Sequence, residues 1–367
     1  MQQKVRQLFT LATLSVLFAQ IVLQSPARAD ETRDRQWHLG FLDVAAAHRI
    51  SQGEGVTVGV VDSGVDIKHP DLASAVLPGT NFVGGDGSVD GDGHGTKMAG
   101  LIAARGRPGD KGALGIAPRA KILPVDSGID NWQSADGVDW AVEHGARVLC
   151  LAFGSESVGT DLPPAIERAL AADVVIVAAA GNRPENGNIV HPARHPGVVA
   201  AAGIDKDGNH ASVSATGPEV VLAAPAVDIV STSLNNGYSS GTGTSDATAI
   251  IAGAAALVRS KFPDLKASEV VRRLTATAVD KGAPGRDDEY GYGVVNLVGA
   301  LTADVPASAV PTPDAAQPPA GNSDGSGPDP VAVVLLGLFV VGAVGIVGIT
   351  ALSVRRSRRA GRGPPGG

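Results

Sequence analysis

The chain has 367 residues, 44% of them hydrophobic, with 48 glycines and a formal net charge of −7, which suits one large α/β core with appendages. That acidic balance, with no broad basic field over the globular part, argues against nucleic-acid binding. Cys150 is the single cysteine, so an intramolecular disulfide is excluded and stability must come from packing.

Lys4 and Arg6 precede an apolar stretch from Leu8 to Leu23, and Ala27-Arg28-Ala29 follows as a small-x-small pattern. This predicts a secretory signal over 1–29, cut before Asp30. A helix is expected over Trp37–His48. From Asp30 to Thr302 the pattern is that of one α/β unit. Val56–Val61, Ala120–Val125, Arg147–Ala152, Val174–Ala180 and Val198–Gly203 are short apolar runs bounded by glycine or charge, the pattern of buried parallel strands. Cys150 lies inside one of them, as a small core residue rather than a reactive thiol. Helices are expected at His94–Ala104, Ser134–His144, Pro163–Ala172, Ser245–Lys261 and Ala267–Ala278. Such alternation implies a doubly wound parallel sheet flanked by helices, with right-handed crossovers.

Ala303–Pro330 shifts to proline, alanine, glycine and serine, a semi-rigid linker. Val331–Val354 carries only Thr350 and Ser353 as polar side chains, and its length suits one transmembrane helix across a core of about 30 Å. Arg355, Arg356, Arg358, Arg359 and Arg362 follow at once in the tail 355–367. The positive-inside rule then places that tail in the cytoplasm and the main domain outside, at the cell membrane.

Four short words carry the chemistry: Asp62-Ser63-Gly64, His94-Gly95-Thr96, Ala180-Gly181-Asn182 and Gly243-Thr244-Ser245. A serine hydroxyl is a weak nucleophile at neutral pH and needs a base to take its proton. His94 is the candidate base and Asp62 the carboxylate that would fix its tautomer and steady its developing charge. Asp62 and Asn182 each follow a strand, so both face the carboxyl edge of the sheet, where ligands bind in such folds. The Asn182 side-chain amide and the Ser245 N–H are the candidate donors to an oxyanion.

The order Asp, His, Ser is that of the subtilisin-type triad. Val58–Val65, Asp92–Thr96 and Gly243–Ala247 resemble the three active-site signatures of the subtilases, the subtilisin-like serine peptidases, and the resemblance runs from Gln36 to Leu301. It implies a subtilisin-like fold and cleavage of polypeptide substrates through an acyl-enzyme. It also implies one pocket wall from Ala152, Phe153 and Gly154 and another from Ala179, Ala180 and Gly181. Alanine and glycine walls suggest a small or apolar primary residue. Tyr290–Asn296 resembles the family's closing segment.

The whole plan, together with Trp37–His48 and Ile50–Val58, resembles the mycosins, membrane-anchored subtilases associated with type VII secretion. The short stretch from Asp30 to Ser51 leaves no room for a folded inhibitory prodomain. The lack of cysteine pairs departs from the disulfide-bearing mycosins. Lys97 and Asp246 also depart from the family, which has a histidine and an uncharged residue there; Ala249-Ile250 replaces its usual Pro-His. Asp246 is read as a helix-start residue favoured by the macrodipole, or as a charge that repels acidic substrates. Asp86, Asp90 and Asp92, interleaved with glycines, form a solvated flexible loop in this reading, and neither metal nor cofactor is expected. The expected function is an extracytoplasmic, membrane-anchored serine endopeptidase that processes secreted proteins. The alternative is a structural component of a type VII-like secretion complex with idle peptidase activity. A lipase or esterase is disfavoured by the triad order and the lack of Gly-x-Ser-x-Gly at Ser245.

Overall fold

The computed structural model describes residues 29–84, 89–128, 134–157 and 159–306. The expected leader up to Arg28, the linker beyond Pro306, the expected membrane helix Val331–Val354 and the basic tail lie outside the described residues. Among the described residues no helix is long and apolar enough to cross a membrane.

The described residues begin with α1 (Ala29–Arg35), α2 (Trp37–Phe41) and α3 (Val44–His48). The single helix expected over Trp37–His48 is therefore two. Asp43 breaks it: its φ is 46°, in the left-handed region, and its carboxylate accepts the Ala46 N–H at 3.3 Å, so the helix restarts there. Gln36 stitches this segment to the body, donating to Leu114 O (3.1 Å) and Val230 O (3.2 Å) and accepting from Leu114 N–H (2.8 Å).

The strands then follow as β1 (Thr57–Asp62), β2 (Thr80–Asn81), β3 (Arg105–Arg107), β4 (Lys111–Leu114), β5 (Lys121–Asp126), β6 (Val148–Leu151), β7 (Val175–Ala179), β8 (Val199–Ile204), β9 (Val220–Pro225), β10 (Ile229–Ser233) and β11 (Gly237–Gly241). Among the described residues, a seven-stranded parallel sheet runs β2-β5-β1-β6-β7-β8-β9; β3-β4 and β10-β11 are antiparallel pairs. Every residue of β6 to β9 is buried, as expected for strands covered on both faces. The strand β9 was not expected; its last residue is a proline, tolerated because β9 is the edge of the sheet.

Helices α4 (His94–Ala103) and α7 (Thr244–Lys261) pack on each other and on the central strands, while α5 (Ser134–Glu143) and α6 (Leu162–Ala171) form the second covering pair. α8 (Ala267–Ala276) and α9 (Leu297–Thr302) pack against α7. α7 is buried almost all round, which its alanine-rich sequence allows. Cys150 is fully buried on β6, opposite Val60 and Val177, and its thiol is pushed well up by burial and then by the Asp62 charge.

The strand order decides where chemistry can occur. β1 has β5 on one side and β6 on the other, so the chain reverses direction across it. A crevice opens outside the carboxyl end of a strand at such a reversal. Asp62 is the last residue of β1.

Candidate active site

Asp62 meets His94 at that crevice. The His94 Nδ1 lies 2.8 Å from Asp62 Oδ1 and 3.0 Å from Oδ2. A carboxylate only accepts, so Nδ1 carries the proton and Nε2 is left free. Asp62 Oδ1 also accepts the Ser63 N–H at 2.9 Å. Glycines make the meeting possible. A Cβ on Gly95 would fall 2.0 Å from Gly64 O, and one on Gly64 would fall 2.4 Å from Val89 O. Side chains at either place would force the His94 helix away from the end of β1.

Asp90 organises the start of that helix. It is 6% exposed; its Oδ1 accepts from Asp92 N–H (3.1 Å) and Gly93 N–H (2.8 Å). Its Oδ2 accepts from Thr96 N–H (2.8 Å) and the Thr96 hydroxyl (2.6 Å). The Ser63 hydroxyl sits between Asp62 Oδ1 (3.2 Å) and Asp90 Oδ1 (2.9 Å) and accepts the Gly95 N–H at 3.0 Å. The reading of Asp90 as part of a solvated flexible loop is thus corrected: its carboxylate is buried, holds the loop N–H groups of Asp92 and Gly93, and satisfies one orphan N–H of α4, that of Thr96. Asp92 is exposed and accepts the His94 N–H at 2.7 Å, while Asp86 lies outside the described residues. Ser63 and Asp90 are members of the site that sequence reasoning missed. The signal available was an aspartate four residues before a helix start.

Ser245 is the second residue of α7. Its hydroxyl donates to Ala152 O at 2.8 Å, and no hydrogen bond joins it to His94. Asn182 lies across from it, just past β7. The Asn182 amide oxygen accepts from Thr244 N–H (2.9 Å) and the Thr244 hydroxyl (3.1 Å). With its oxygen held there, the Asn182 NH2 is the end left to donate. Thr244 is what orients that amide.

Asp62, His94, Asn182 and Ser245 all line one cavity of about 300 Å³. Ala152, Phe153, Gly154, Ala179 and Gly181 line it too. Ala180 stands apart: it is fully buried, and its backbone joins Ala201 O and Val190 N–H. Val190, which was not expected, closes the space between the walls. A Cβ on Gly154 would lie 2.3 Å from its Cγ2, and one on Gly181 3.3 Å from it.

Burial pulls the His94 pKa down, but the charge and hydrogen bond of Asp62, and then the Asp246 charge, outweigh it and raise it to about 9. Lys97 opposes that rise. Lys97 and Asp246, read separately from sequence, form one ion pair, with side chains 11% and 2% exposed. The suggestion that Asp246 repels acidic substrates is corrected, because it is sealed from solvent and bound to Lys97. Burial raises its pKa, against the pull of Lys97. Among the described residues no group of histidine, cysteine or acidic side chains could hold a metal ion.

This arrangement places a hydroxyl, an oriented imidazole and an amide donor around a space of peptide dimensions. The model of the subtilase family matches residues 53–293. Subtilisin DY from Bacillus licheniformis is 38% identical over 255 residues, covering 67% of this chain and 90% of the relative. Among solved structures, MycP1 from Mycobacterium smegmatis is 29% identical with a TM-score of 0.66, covering 77% of this chain and 89% of its own. The MycP3 protease from the type VII (ESX-3) secretion system is 33% identical with a TM-score of 0.64, covering 73% of this chain and 88% of its own.

Proposed function

The chain belongs to the subtilase family and is a subtilisin-like serine endopeptidase; on that premise we propose that Asp62, His94 and Ser245 are its catalytic triad and Asn182 its oxyanion donor. The observation that carries this reading is the convergence of these four side chains on one cavity, with His94 already tied to Asp62. Ser245 Oγ attacks the scissile carbonyl as His94 Nε2 takes its proton. Asp62 holds the imidazole and stabilises the imidazolium. The Asn182 NH2 and the Ser245 N–H stabilise the oxyanion, and His94 returns the proton to the leaving amine. Water then repeats the sequence to release the acyl group. The Ser245 hydroxyl must first leave Ala152 O, and substrate laid against Ala152–Gly154 supplies the occasion.

The enzyme is further proposed to be anchored by the 331–354 helix with its peptidase domain outside the cytoplasm, processing secreted proteins beside a type VII-like secretion system. Support comes from the signal-like leader, the apolar span followed by arginines, and the likeness to MycP proteins. The test is labelling of the full chain in membranes by a fluorophosphonate, beside Ser245→Ala. Labelling that requires Ser245 and is accessible from outside the cell supports the reading; a folded chain that never labels overturns it. One observation favours a second reading, a scaffold with an idle peptidase: the Ser245 hydroxyl is turned to Ala152 O. Secretion that persists with Ser245→Ala and stops on deletion of the chain would favour the scaffold.

A further inference from the structure

The two departures from the family pattern nearest the catalytic residues are not independent. Lys97 sits one turn beyond His94 on α4, and Asp246 directly follows Ser245 on α7. Their side chains meet in the interface between the two helices, where α4 and α7 pack. A third element completes the contact: a Cβ on Gly241, at the end of β11, would fall 2.4 Å from the Lys97 Nζ and 3.7 Å from Asp246 Oδ2. The same turn of α4 is fixed from β10, where the Ser231 hydroxyl donates to Lys97 O at 3.0 Å and the Thr232 hydroxyl to Thr96 O at 2.7 Å. The pair is therefore built into a closed junction rather than laid on a surface.

We propose that Lys97 and Asp246 are a positioning pair that clamps the His94 helix to the Ser245 helix and cancels each other's charge, so that His94 responds to Asp62 alone. The inference rests on the triad proposed above. Its logic is electrostatic. A buried carboxylate beside the imidazole holds a proton on it, and a general base must lose that proton before it can act. An ammonium bound to that carboxylate removes the difficulty while joining the two helices that carry base and nucleophile.

Asp62 faces His94 from β1, Asp246 from α7 and Lys97 from its own helix, with Asp92 on the preceding loop. His38 of α2 also faces Lys97: it is fully buried, neither ring nitrogen has a hydrogen-bond partner, and burial followed by the Lys97 charge lowers it to about 3. It stays neutral through the working range and adds no charge to the balance. Asp246 raises the His94 pKa and Lys97 lowers it.

The test is an NMR titration of the His94 ring in the full chain, in wild type, Lys97→Met, Asp246→Asn and Lys97→Met/Asp246→Asn. This readout does not require activity, so an unlabelled enzyme would defeat the triad reading without touching this result. Lys97→Met should raise the His94 pKa and Asp246→Asn should lower it, each by about 1–2 units, the scale of one charge roughly 7 Å away through an effective dielectric near 20. The double variant should return to within about 0.3 unit of wild type. Where a single variant fails to fold, the double variant decides: a His94 value near wild type supports the clamp, and a displaced one overturns it. Shifts of both single variants in one direction, or in neither, also overturn it, because a merely structural contact has no sign.

Discussion

Two acid–base pairs leave the same helix one turn apart, and they are treated in opposite ways. His94 keeps 38% of its side chain exposed while its partner Asp62 is nearly sealed; Lys97 and Asp246 are both buried. The first pair has one free nitrogen aimed at a cavity. The second has no access to one. A half-open pair can exchange a proton with a substrate, whereas a sealed pair can only hold position and charge. Exposure of a single ring, rather than residue type, separates chemistry from architecture on α4.

Breaking the open pair should give the largest effect on rate. Asp62→Asn keeps the shape but offers an NH2 where His94 Nδ1–H needs an acceptor, favouring the wrong tautomer. Turnover should fall by about 10⁴-fold, with the fold retained by circular dichroism. A loss below tenfold would mean that His94 is not oriented through Asp62.

Breaking the sealed pair should instead appear in stability. Lys97→Met leaves Asp246 buried without a partner, and removing one member of a buried pair costs about 3–5 kcal/mol. Urea unfolding of the Ser245→Ala form, which avoids self-digestion, reads this directly. Lys97→Met/Asp246→Leu should regain most of the loss, since two apolar side chains of similar volume fill the same junction. A Lys97→Met protein as stable as its parent would show that the pair is not sealed.

Asn182 lies between these extremes, since its oxygen is structural and its nitrogen is free. Asn182→Ala should lower kcat by about 10²–10³-fold with little change in KM, as expected for a donor used only in the transition state. A rise in KM with kcat unchanged would make Asn182 a binding residue instead.

What could be read from sequence follows the same division. The strands β1, β5, β6, β7 and β8 were legible because each is a short apolar run buried on both faces, and Asp62 and Asn182 followed from their place at strand ends. The β10-β11 hairpin was not, because its serines, threonine and glycines carry no apolar alternation. The break in the helix over Trp37–His48 depends on one left-handed aspartate, which composition does not announce. Asp90 was misread because an aspartate among glycines looks the same whether its carboxylate meets water or backbone N–H groups. Lys97 and Asp246 lie 149 positions apart, and only the packing of α4 on α7 shows that one explains the other.

The smallest of these effects, and the one that ties the two pairs together, is the dependence on pH. His94 is raised from its ordinary 6.5 to about 9, mainly because Asp62 favours the charged ring over the penalty of burial. Its folded value is thus above its unfolded one. The stability it contributes is full below about 6.5 and is lost as pH rises through about 9. Catalysis runs the other way, because a base must be neutral to accept the serine proton. The rate kcat/KM at low substrate should therefore climb with pH along a single ionisation and level off near 9, falling about tenfold per unit below it, or about a hundredfold over two units. In the same range, unfolding of the Ser245→Ala form should become easier as His94 loses its proton. A rate profile that levels off near 6.5 would show that Asp62 does not hold the ring charged, and that the open pair is no stronger an acid–base couple than a histidine in water.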